Sequence, residues 1–177
     1  MQNRVVIVDL FKNIVEQTAI RWHTDKDSIR YDYGTRIEMD NTLAEASQNQ
    51  AASAKKFPLI ALILPFEEDT PGNIRGENLV DVSLTLIIAA ISQQNLKAAA
   101  RYTANFKPTL YPIHDHLLHV ISRCGYFKET DENAISRTAI DYPYYSGENN
   151  GQANVFSDLV DCIIIKNLKL TVKPYNC

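Results

Sequence analysis

The densest group of side chains able to bind a metal or move a proton is the run HDHLLH, which brings His114, Asp115, His116 and His119 together. Imidazoles at helical spacing hold zinc or act as general acids and bases. On a helix that advances about 100° per residue, His114 lies roughly 100° from Ile113, His116 roughly 300° and His119 roughly 240°. His114 therefore points away from the other two, and one ion cannot collect all three from a straight helix. His116 and His119 remain a two-ligand pair at i, i+3, but a catalytic zinc needs a third ligand that the sequence does not advertise. Cys124 follows on the apolar stripe of the same helix, where a thiol acts as a small hydrophobe and its thiolate is suppressed.

Other candidates are weaker still. Glu67, Glu68, Asp69 and Glu77 flank a loop, and paired carboxylates hydrolyse glycosides, yet no convergent partner accompanies them and a charged loop reads first as docking surface. No GxxxxGK[ST], GxGxxG or GxSxG motif occurs, so nucleotide-binding and serine-hydrolase readings have no support. Tyr142, Tyr144, Tyr145 and Phe156 surround a Gly/Asn-rich loop, but few basic residues interleave them as a single-strand binder requires. Protein contact or local packing is the better reading of that set. Cys124, Cys162 and Cys177 are widely spaced with no CxxC pair, which fits reduced thiols rather than a disulfide framework.

The elements that must position these residues follow from periodicity. From Val5 to Trp22, Ile7, Phe11, Ile14, Val15, Thr18 and Trp22 share one side of a helix while Asp9, Lys12, Asn13 and Glu16 take the other. A β-prone run spans Ile29 to Tyr33, with a turn at Gly34. The Ala-rich polar stretch after it predicts a short helix and a flexible basic step at Lys55 and Lys56, so that Asp25 to Lys56 reads as a mobile polar insertion. FPLIALILPF, bracketed by Pro58 and Pro65, predicts a buried strand, and LVDVSLTLII alternates as a strand with one wet side. Together they make a hairpin with a projecting loop from Glu67 to Asn78. A two-part helix follows, broken at Pro108 and restarting at Pro112 to end at Gly125. VDCIIIKNLKLTVK alternates Leu168, Leu170 and Val172 against Asn167, Lys169 and Thr171 as a terminal strand. The expected fold is α+β over residues 1–177 as one domain: a mostly antiparallel sheet, two main helices on one face, the other face available to a partner.

Composition agrees with a single globular domain and narrows its partners. The chain has 177 residues, enough for one core of ordinary size. Its 18 basic and 21 acidic residues leave a formal charge of -3, the wrong sign for a protein that coats nucleic acid. The apolar start is followed at once by Asp9 and Lys12 without a cleavage site, and no apolar run is long enough to span a bilayer, so a soluble protein made in a cytoplasm is expected.

FPLIALILPFEED, LVDVSLTLIIAAIS, ARYTANFKPTLYPIHDHLLHVISR, DYPYYSG and VDCIIIKNLKLTVK, with the terminal Cys177, resemble virion proteins of tailed phages infecting Bacteroidetes hosts, crAss-like phages among them. Those proteins are similar to the tail-terminator class. The resemblance implies a structural, non-enzymatic subunit without cofactor or metal. Copies close into a homo-oligomeric ring at the head–tail connection of the virion, with portal, adaptor or tail proteins as neighbours. DNA passes through the ring without sequence-specific binding, and no membrane is involved. A ring contact is heterologous and needs two unlike patches on each copy. The Glu67 to Asn78 loop and the Leu43 to Lys56 segment are the expected contacts with neighbouring rings. The rival readings are a small metal- or acid/base-dependent enzyme centred on His116 and His119, or a free accessory domain that binds another protein.

Overall fold

The computed structural model describes residues 6–69, 79–92, 96–128, 138–139 and 160–173. Element order is α1 (Ile7–His23), β1 (Arg30–Gly34), α2 (Arg36–Ser47), α3 (Gln50–Ser53), β2 (Leu59–Asp69), β3 (Val80–Ile91), α4 (Ala98–Arg101), a π-helix (Tyr102–Leu110), α5 (Tyr111–Arg123), β4 (Thr138–Ala139) and β5 (Val160–Val172). The sheet runs β1-β2-β3-β5-β4, antiparallel throughout except for β1, which pairs parallel with β2. The fold is α+β, as the alternation of apolar residues predicts.

The sheet separates two apolar clusters. Even-numbered residues of β2 and β3, with Ile163, Ile165, Leu168 and Leu170 of β5, meet α1, the π-helix and α5, where Phe11, Ile14, Phe106, Leu110, Ile113 and Leu117 are buried. These are the two main helices on one face. Buried residues on α1 are Ile7, Leu10, Phe11, Ile14, Val15, Thr18 and Ala19, the side read from its periodicity, and Thr18 satisfies its hydroxyl on the Ile14 carbonyl at 2.8 Å.

The opposite face is not left bare. Met39 and Leu43 of α2 are buried there with Leu59, Ala61, Ile63, Ile87, Ala89, Cys162 and Ile164. The segment expected as a mobile insertion is thus built into the fold: β1-α2-α3-β2 is a crossover that joins two parallel strands, a connection that demands a helix rather than a tight turn. A capping box starts α2, with the Thr35 hydroxyl accepting from the Glu38 N–H and the Glu38 carboxylate accepting from the Thr35 N–H at 2.7 Å. Lys56, expected on a flexible basic step, is 3% exposed and donates from Nζ to Ser47 Oγ at 2.6 Å near the carbonyl end of α2.

Two further boundaries depart from expectation and a third keeps to it. β2 does not stop at Pro65 but continues to Asp69, because a register shift between Ile63 and Glu67 takes the proline out of the ladder. Glu67 to Asp69, expected in the loop, therefore pair with Ser83 to Asp81, and residues 70–78 of that loop lie outside the described residues. The helix does not break at Pro108. The chain passes through it in π-helical winding, whose wider turn accommodates a ring that collides with the carbonyl four residues back in an α-helix. Gly125, at φ 72, follows the end of α5 as a left-handed stop should.

Candidate functional site

The histidine run folds as the helical wheel requires. α5 carries all three imidazoles and buries Ile113, Leu117, Val120 and Ile121. His114 is turned inward, its Nδ1 3.3 Å from Asp115 Oδ1 and its Nε2 buried without a protein partner. His116 and His119 share the outer side with Arg123, and Arg21 of α1 reaches the same place. Partial burial, then Arg21, Arg123 and His116, push the His119 imidazole below its ordinary titration range. Among the described residues no three His, Cys, Asp or Glu side chains converge on a metal position. Cys124 is half-buried; burial holds its thiol above the ordinary range against opposing hydrogen bonds from Tyr126, its own N–H and Phe127. Cys162 is buried in the second-face cluster.

The acidic residues divide. Glu67, Asp69 and Asp81 line a depression of about 400 Å³ on the second face with Ser83, Lys169 and Thr171. Asp69 and Asp81 stand directly opposite each other across the β2–β3 ladder, a like-charge pairing that costs stability, and the Thr171 hydroxyl donates to Asp81 Oδ1 at 2.6 Å. Glu77 and the aromatic set Tyr142, Tyr144, Tyr145 and Phe156 lie outside the described residues, as does Cys177.

Two features were missed in the sequence. A groove of about 770 Å³ runs between α1 and β1, lined by Val8, Lys12, Val15, Ile29, Tyr31 and Tyr33, among others. Tyr31 donates its hydroxyl to the Val8 carbonyl at 3.0 Å, and burial first, then Tyr33, Asp32 and Asp9, keep its phenol protonated well above the ordinary range. At the other end of the sheet, Asp161 is 1% exposed and its carboxylate is divided between Arg101 Nη1, at 2.7 Å, and Asn105 Nδ2. Arg101 also donates to the Leu96 carbonyl and Asn105 to that of Ile91, so this cluster ties the start of the π-helix to β3 and β5. The one available signal for Asp161 is alternation: it stands two positions before Ile163 and so on the same face of β5 as Ile163 and Ile165. None of the described helices is long and apolar enough to cross a membrane. Comparison with protein-family models, curated proteins and solved structures returned no match.

Proposed function

We propose that the chain is a structural subunit that closes head to tail into a homo-oligomeric ring at the phage head–tail connection, through which DNA passes. The observation that carries this reading is the acid-lined depression of Glu67, Asp69 and Asp81, where two carboxylates face each other at a cost to the free subunit. A cationic surface on a neighbour offsets that cost. The chain offers such a surface on the other side of the sheet, where Arg21 of α1 and Arg123 of α5 supply the positive charge beside His119. Two unlike, oppositely charged patches on opposite faces are what repeated head-to-tail contact requires. The resemblance to tail-terminator proteins supplies the place of the ring; the charge pattern supplies the way copies meet.

Native mass spectrometry and electron microscopy of purified protein test the reading. A closed ring of identical copies that dissociates as salt is raised supports it. A single chain at every concentration refutes it, as does a ring that survives Glu67→Lys together with Asp69→Lys.

A further inference from the structure

We propose that β1 is a docking strand that adds a second copy of this chain edge to edge, antiparallel, through that copy's own β1. β1 is one of the sheet's two edge strands, and among the described residues no strand pairs with its outer side. The Arg30 N–H donates to the Pro58 carbonyl at 2.9 Å, on the side toward β2. N–H directions alternate along a strand, so those of Tyr31 and Tyr33 point outward. The Tyr33 N–H is covered by its own neighbour: Asp32 Oδ1 accepts from it at 2.9 Å while Asp32 Oδ2 accepts from Arg30 at 2.9 Å. The carboxylate stands in the place of the carbonyl that a pairing strand brings, and a side-chain rotation removes it.

The occupant follows from chemistry and register. A strand entering here sets alternate side chains beside the groove, with its apolar Val8, Val15 and Ile29, and the others beside the Arg30–Asp32 ion pair. β1 itself has that pattern: Tyr31 and Tyr33, whose rings stack at 6.3 Å, alternate with Arg30 and Asp32, and Tyr33 is 50% exposed. Antiparallel copies can align their outward groups in a register centred on Tyr33, which sets Asp32 against Gly34 and makes no ion pair, or in two others. In one, Asp32 faces the second copy's Asp32, a like-charge pairing. In the other, Tyr31 faces Tyr31 of the second copy and each Arg30 faces the other's Asp32, so both ion pairs become cross-strand pairs. Charge complementarity selects the second.

Such a contact is isologous and joins subunits two by two. It is independent of the acid–base contact proposed for the ring, and between rings it sets two of them face to face. The test uses the full chain with Cys124, Cys162 and Cys177 replaced by serine. Arg30→Cys mixed with Asp32→Cys forms a disulfide-linked dimer on mild oxidation, while neither variant alone does so. Linkage of Asp32→Cys to itself, or no linkage in the mixture, overturns the proposal. Tyr33→Pro removes an outward donor and no bond to β2. It raises the dimer dissociation constant of the otherwise native chain roughly tenfold with the circular dichroism unchanged. A wild-type chain whose sedimentation shows no β1-dependent pair, or a constant unmoved by Tyr33→Pro, also overturns it. The Glu67→Lys, Asp69→Lys variant separates the two readings, since it abolishes a ring and leaves this pair intact.

Discussion

Replacing Asp161 by alanine takes from the Arg101 guanidinium, whose side chain is 12% exposed, the carboxylate that stands 2.7 Å from it, and takes from Asn105 the acceptor it holds besides the Ile91 carbonyl. Breaking a buried ion pair from one side costs about 3–5 kcal/mol, because an uncompensated charge stays in the interior. Against a total stability of roughly 5–15 kcal/mol for a domain, that is a large share. With a urea m-value of about 2 kcal/mol/M, the unfolding midpoint falls by roughly 1.5–2.5 M. Equilibrium unfolding followed by circular dichroism measures it. The companion double variant, Arg101→Met with Asp161→Leu, removes both charges and retains much of the apolar volume, so its cost is far smaller than that of Asp161→Ala alone. A midpoint shift below about 0.5 M for Asp161→Ala, or a double variant as unstable as the single one, refutes the reasoning.

Phe11→Ala empties the centre of the larger cluster, where Phe11 is fully buried, and costs about 3–5 kcal/mol in the same unfolding assay. Thr35→Ala removes the side-chain half of the α2 cap and lowers the melting temperature modestly, whereas Thr35→Ser leaves it close to wild type. Glu38, whose carboxyl the Thr35 N–H and hydroxyl hold below its ordinary range, contributes stability that is present above the usual carboxylate range and lost as pH falls toward its folded value; Thr35→Ala flattens that part of the pH profile. For His119 the folded state disfavours the proton, so its contribution is present above the ordinary histidine value and lost as pH falls below it. An NMR titration finds its midpoint below that of free histidine, and Arg21→Gln raises it. Cys124 alkylates more slowly at neutral pH than an unhindered thiol, and its rate rises with pH beyond the usual thiol range, as peptide mass spectrometry reads directly.

Periodicity was a good guide wherever one face of an element is buried. The stripes of α1 and α5, the alternation of β3 and the terminal strand, and the stop at Gly125 all appear in the sequence as they fold. It failed where tertiary partners supply what local pattern lacks. α2 has only Met39 and Leu43 to commit to the interior, too few to stand out in a polar, Ala-rich stretch, and although the β-prone run of β1 was legible, its parallel pairing with β2 was not. Pro65 and Pro108 read as stops because a proline normally ends an element; a bulge and a π-turn let the chain continue through each. Among the site residues, the divergence of His114 from His116 and His119 was visible on the wheel. The partnership of Arg21 with His119, and of Arg101 with Asp161, joins positions far apart in sequence that no spacing connects.

The sheet, buried on one side under α1 and α5 and on the other under α2, acts as a partition between two separately filled interiors. Phe11 and Met39 lie in different clusters on opposite faces of it, so losses of volume at the two positions are expected to add without coupling. The smaller compartment has fewer side chains to lose, and it also holds down the crossover that carries β1. Opening it releases α2 while the larger compartment stays closed, which makes the α2 amides the ones to exchange with solvent ahead of the β3–β5 ladder. The molecule thus has a domain-sized reserve of order on one side of its sheet and a shallow one on the other, with β1 held to the deep side through Ile29 and Tyr31 while the crossover that follows it lies on the shallow side.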